Sequence, residues 1–143
     1  MADSIEERTV SLEGAQRVLE AALALARSKK LDVSVAVADR SGALKAFARM
    51  DGASMLSGET ARRKVFTVAY VGISTQAFGT SLKSDMESEP ELFHGMIGID
   101  NLVAFAGGVP LFVEGHRVGA VAVSGATSAE DQEIAQAAAG ALN

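Results

Sequence analysis

From Leu12 to Ala26 the apolar residues Leu12, Ala15, Leu19, Ala22 and Ala26 recur every third or fourth position, and Val18 and Leu25 broaden the stripe. That spacing is one face of an α-helix. Ser11 is placed to cap it, Glu13 lies in its first turn, and Arg27, Lys29 and Lys30 gather at its end, all in the sense the helix dipole favours. The period then changes to two. Val33 to Asp39 alternates valine with small residues, as in a strand buried on both faces, and Asp39-Arg-Ser-Gly42 is a turn. Ala43 to Met50 follows as a second strand with Leu44, Ala46, Ala48 and Met50 on one face. The two strands form an antiparallel hairpin that ends at Asp51-Gly52.

A helical period returns from Ser57 to Ile73 through Ala61, Val65, Val68 and Ala69, and a shorter helix is predicted over Thr75 to Met86. Ser88 to Gly98, with its Pro90, shows no clear period and is expected to be a surface loop or lid. Three more strands are predicted: Leu102–Ala106, Val109–Val113 and Arg117–Val123. Gly107-Gly108 links the first two, and Glu114-Gly115-His116 turns between the last two. Pro110 favours an edge or the very start of its strand. Ser128-Ala-Glu-Asp131 is an acidic variant of the capping box and opens a final helix running to Leu142. The order predicts an α+β layer architecture, one antiparallel sheet of about five strands covered by helices. Alanine-rich helices with narrow apolar stripes suit close contact between subunits, so a homo-oligomer is expected.

Composition narrows the function classes. At 143 residues, 48% hydrophobic and 22% charged, the chain is expected to be a single domain spanning 1–143. With no cysteine, thiolate metal sites and cysteine nucleophiles are excluded. No Trp, one Tyr and a net charge of −5 argue against a nucleic-acid partner. No stretch approaches the ~18–20 apolar residues of a membrane span. The acidic, polar start lacks the features of a secretory signal, so a cytoplasmic protein without a membrane partner is expected.

Few residues offer chemistry. His116 falls in a predicted turn and reads as solvated. His94, in the loop Pro90–Met96, is the better candidate for a ligand or proton carrier. Two separated histidines make no zinc motif, so no metal site is expected. Arg49-Met-Asp51-Gly52 closes a hairpin, either as an exposed ion pair or as polar groups aimed at a pocket. Arg62, Arg63 and Lys64 crowd the first half of a helix, against its dipole, which points to an anion-attracting patch or a solvated face. Gly107-Gly108 and Ser124-Gly125 fit no nucleotide-binding fingerprint, but Ser124-Gly125 precedes a helix start whose amides can line a site. The sequence around Ser124 is not a hydrolase nucleophile elbow.

Six pieces in one order carry a resemblance: Asp39-Arg-Ser-Gly-Ala-Leu44, Arg49-Met-Asp-Gly52, Ala61–Val68, Gly107-Gly-Val-Pro-Leu111, Gly119-Ala-Val-Ala-Val-Ser-Gly125 and Glu130-Asp131. Together they resemble the GlcG/HbpS family of small haem-binding and glycolate-operon proteins, over about residues 9 to 142. The resemblance implies a profilin-like α+β fold and an oligomer such as a dimer, tetramer or octamer. It implies a small-molecule ligand, with haem as the cofactor that some members bind, degrade or use in redox sensing. A related domain is fused to a corrinoid adenosyltransferase, and other members belong to catabolic operons. Relatives can ligate haem through a His in the first helix, and this first helix has none. The residues matching the family's pattern are Arg49, Asp51, Gly52, Lys64, Gly107, Gly108, Ser124 and Gly125, although Arg63-Lys64-Val65 departs from the more usual Lys-Ala step. The expectation is a small-ligand-binding accessory protein, with Arg49, Gly52, Lys64, Gly107, Gly108, Ser124 and Gly125 around the ligand and His94 closing the pocket. The alternative is a cofactor-independent lyase or isomerase acting on a small carboxylated metabolite, with Asp51 and His94 as acid and base.

Overall fold

The structure, a computed structural model, describes residues 2–143. Its elements run α1 (Leu12–Ser28), β1 (Ser34–Asp39), β2 (Leu44–Arg49), α2 (Met55–Val71), α3 (Thr75–Ser88), α4 (Pro90–Ile97), β3 (Gly108–Val113), β4 (His116–Ser124) and α5 (Ser128–Ala139). The strands form one antiparallel sheet in the order β2-β1-β4-β3.

Alternation along the two central strands gives the sheet two different faces. Val33, Val35 and Val37 of the first strand region and Val121 and Val123 of β4 face α1 and α5. There they join Val18, Ala22, Ile134 and Ala135 in the larger core. The intervening Ala36, Ala38, Ala120 and Ala122 face α2 and meet Ala61, Val65 and Val68. Alanine on that face lets α2 lie close to the sheet. The same rows end in serine, at Ser34 and Ser124, under the start of α2.

The helix starts follow local chemistry. Ser11, Ser54 and Ser74 each accept a hydrogen bond from the amide three residues on, at the N-termini of α1, α2 and α3. Thus α2 begins two residues earlier than its apolar period suggests, and it stops at Gly72, whose φ of 79° suits a glycine C-cap.

Three expectations are corrected. The sheet has four strands, not about five, because Leu102–Ala106 forms no strand. That segment is held on α2 instead: Thr67 Oγ1 accepts from the Val103 amide at 2.9 Å, and its one proton lies between the Arg63 carbonyl at 2.8 Å and the Asn101 carbonyl at 3.0 Å. The expected loop at Ser88–Gly98 contains α4. Pro90 stands at a helix N-terminus, where its missing N–H costs nothing. Leu92, Phe93, Met96 and Ile97 share one side of that helix. The last helix is capped one residue earlier than expected. Thr127 and Glu130 form a reciprocal capping box, and α5 ends at Ala139 rather than Leu142.

Candidate functional site

That one-residue shift of the cap decides the chemistry of the interior. With Glu130 at the third helical position, Asp131 is free of capping and turns inward, where it is 4% exposed. It meets Lys64, which lies two turns after Ser57 on the sheet-facing side of α2 and is 0% exposed. Lys64 Nζ donates to the Val123 carbonyl at 2.8 Å and to Asp131 Oδ2 at 3.4 Å, and lies 5.1 Å from the centroid of the Phe105 ring. Asp131 Oδ1 accepts from the Ala126 amide at 3.1 Å. Burial pushes the Lys64 ammonium below the usual lysine range and the Asp131 carboxyl above the usual aspartate range. Their mutual attraction works against both shifts.

Gly107 makes room for this pair. A β-carbon there would collide with Lys64 Nζ, and its φ of 126° is one that side-chain-bearing residues rarely adopt. Gly108 also passes close to Lys64, where an added β-carbon would lie 3.2 Å from the Lys64 Cβ, and its amide donates to Thr75 Oγ1 at 3.0 Å. The glycine pair is therefore a close passage beside a buried lysine, not the turn between two strands that the sequence suggests.

Above the pair, the N-termini of α2 and α5 meet the end of β4. They enclose a cleft of about 270 Å³ lined by Ser54, Ser57, Thr60, Ser124, Ser128 and, at one wall, Phe105. Ser34 and Ser57 share a buried hydrogen bond of 2.8 Å beneath it. Lys64, Gly107, Gly108, Ser124 and Gly125 are thus brought to one place. The sequence reading missed Ser57, Phe105 and the role of Asp131. The signal for Asp131 was Thr127-Ser-Ala-Glu130, an alternative capping box that releases it.

The expected cationic patch is not formed as such, since Lys64 points inward and Arg62 and Arg63 both bind Glu59, at 2.6 and 2.9 Å. Hydrogen bonds from Arg62 and Arg63 hold the Glu59 carboxyl down at about 2. The depressed value means that whatever this exposed cluster adds to stability is present above the ordinary value of 4.5 and is lost as pH falls toward about 2.

The remaining predicted residues lie elsewhere. Arg49 is the cross-strand partner of Ser34, and its Nη1 donates to the Ala53 carbonyl at 2.7 Å. With Leu44, Phe47, Met55 and Arg62 it lines an open groove of about 370 Å³ between β2 and α2. Asp51 lies in an exposed turn near Arg27 and Asp32, and Gly52 packs against the Asp32 carboxylate. His94 is exposed on α4, which packs against α3, so the structure does not join it to Asp51 or to the cleft. His116 is exposed at the start of β4.

A four-stranded antiparallel sheet with helices on both faces, a hydroxyl-lined cleft and an apolar groove defines a small α+β protein with room for ligands. Residues 10–140 match the family model described as haem degrading protein HbpS-like, and the chain belongs to that family. It is 31% identical to the protein GlcG of Escherichia coli K12, over 80% of this chain and 81% of GlcG. It is 26% identical to the corrinoid adenosyltransferase PduO of Salmonella typhimurium, over 94% of this chain but only 39% of PduO. Among solved structures, Klebsiella pneumoniae protein ORFY superposes with a TM-score of 0.88 at 26% identity, covering 99% of this chain and 95% of ORFY. A double mutant of Streptomyces reticuli HbpS gives 0.83 at 30%, covering 100% and 93%. The PduOC:heme complex gives 0.81 at 26%, covering 94% and 96%. Among the described residues, no helix is long and apolar enough to cross a membrane.

Proposed function

We propose that this chain is a single-domain, profilin-like accessory protein of the cytoplasm that binds haem in the groove between β2 and α2 and works as a homo-oligomer. The observation that carries this reading is the groove's chemistry. Its wall is apolar, from Leu44, Phe47 and the side chain of Met55, and Arg49 and the Arg62–Glu59 ion pair stand at its rim, which leaves Arg49 as the cation without a carboxylate partner. A porphyrin needs an apolar surface for the macrocycle and a cation beside it for a propionate. The residues present fit that need. Arg49 spends one of its five donors on the Ala53 carbonyl and keeps the others for a carboxylate. Met55 is 84% exposed and brings a thioether, one of the side chains that ligate haem iron, to a first helix turn beside the groove. Bound there, haem would supply the redox and oxygen chemistry of its iron.

Two further points support the reading. A relative of the same fold, PduOC, is solved as a heme complex. The groove is open on its outer side, and its own Leu44, Phe47 and Met55, with the adjoining Leu56, are exposed. Apolar surface of this kind suits a second copy that completes the site.

Titrating the protein with haemin tests the proposal. A saturable shift of the Soret band at micromolar haem is expected, weakened several-fold by Arg49→Ala and moved in wavelength by Met55→Ala. No Soret shift at micromolar haem would refute it.

A further inference from the structure

Glu59, Arg62 and Arg63 stand three and four residues apart on α2, the spacing at which side chains on a helix meet. Arg62 donates to the Glu59 carboxylate through Nη2, to Oε1 at 2.6 Å, and through Nε, to Oε2 at 3.3 Å. Arg63 Nε donates to Oε1 at 2.9 Å. Glu59 and Arg62 both line the groove between β2 and α2, and Arg63 does not.

Three observations give this ion pair a part in what the groove binds. The first is geometry. Nε and Nη2 form one edge of the planar guanidinium, an edge that grips a carboxylate with two parallel hydrogen bonds. In Arg62 that edge is already taken by Glu59. The second is charge. The groove's ionised lining is Arg49, Arg62 and Glu59, one positive charge net, whereas haem brings two propionates. Among the described residues Arg49 forms no ion pair, and it alone is left for a ligand carboxylate.

The third is permanence. The two arginines hold the Glu59 carboxyl down at about 2, so it stays ionised throughout the neutral range and no proton releases Arg62. The pair has little to do with holding the fold. Its side chains are 43% and 44% exposed, and pairs so exposed add little to stability.

We propose that Glu59 is a specificity-determining residue of the groove, an internal carboxylate that takes the place of haem's second propionate on Arg62. The groove then engages one propionate, through Arg49, and leaves the other in solvent. A macrocycle with two carboxylates gains nothing there from its second. This role rests on haem binding in the groove, the reading proposed above.

Soret titrations with haemin, and with haemin dimethyl ester, whose propionates carry no charge, test it. Glu59→Gln keeps the length of the side chain and removes its charge. It should bind haemin about tenfold more tightly than the parent, as expected for one added hydrogen-bonded contact to a charged group. Adding Arg62→Ala to it should cancel the gain, and the dimethyl ester should bind the parent and Glu59→Gln alike. Glu133→Gln removes the same charge from an ion pair with Lys29 at α5, on the other face of the sheet, and should bind haemin like the parent. A Soret shift in the parent that Glu59→Gln leaves unchanged or weakens overturns this role alone. So does a gain that survives the loss of Arg62 or that the dimethyl ester shares. No Soret shift in any of these proteins overturns the haem reading and this role with it.

Discussion

Asp131→Ala should lower the stability of the fold by about 3–5 kcal/mol, because it leaves the Lys64 ammonium buried without its counter-charge. For a chain of this size that corresponds to a Tm lower by roughly 10–15 °C. The loss comes less from the ion pair's own strength than from the stranded charge. Lys64 is 0% exposed, and its other close partners are one carbonyl and the Phe105 ring. A double variant, Lys64→Met with Asp131→Asn, removes the charge and its partner together, and should recover most of the loss. The pH dependence has a definite sign. In Asp131→Ala the folded-state pKa of Lys64 falls further, so the unfolded chain binds more protons, and stability should rise as pH is raised. Urea unfolding of the three proteins at neutral and alkaline pH measures both effects. A loss under about 1 kcal/mol for Asp131→Ala would show that Lys64 does not depend on this partner.

Gly107→Ala should cost nearly as much, by a different mechanism. Its φ of 126° is a glycine conformation, which costs another residue of order 1–3 kcal/mol. The new methyl would also overlap Lys64 Nζ and approach the Val123 carbonyl at 2.6 Å and Asp131 Cβ at 3.1 Å. Overpacking of that kind adds about 1–3 kcal/mol. Gly115→Ala is the control: φ there is 77°, but nothing lies within 4 Å of the added carbon, so only a backbone cost of about 1–2 kcal/mol is expected. Thermal melts of the two variants separate strain from collision. Equal losses would contradict the close passage of Gly107 beside the buried lysine.

Both predictions concern residues whose type was noticed in the sequence but whose setting was not. The alternation of valine with alanine or serine in 33–38 and 120–124 made the central strands legible, because each face of a sheet repeats every second residue. The stripe of α1 was legible for the same kind of reason. What period could not tell was that Leu102–Ala106 lies on a helix: its apolar residues suit either neighbour, and only the Thr67 hydroxyl and the Gly107 passage settle it. Pro90 was ambiguous because a turn and a first helical position use the same fixed φ.

The candidate site was legible in part. Lys64, Gly107, Gly108, Ser124 and Gly125 come together from three separate stretches of chain, which the family resemblance grouped before any geometry did. Lys64 was expected on a cationic surface because it continues the run Arg62-Arg63 in the first half of its helix. One position along a helix turns a side chain through about 100°, and that rotation takes Lys64 into the core. Asp131 depended on which of two overlapping capping boxes forms, a choice between Thr127 and Ser128 that spacing alone leaves open. Asp51 and His94 were paired by chemistry alone, and the fold holds them on different elements.

The central claim is that haem binds in the groove between β2 and α2, against Leu44, Phe47 and Met55 and beside Arg49. A crystal structure of the protein grown with haemin tests it most directly. The expected result is a macrocycle against Phe47 and Leu44 with a propionate on Arg49, and the cleft at Ser124 free of it. Haem seated over Ser124 and Phe105, or held by residues outside the groove, would contradict the assignment.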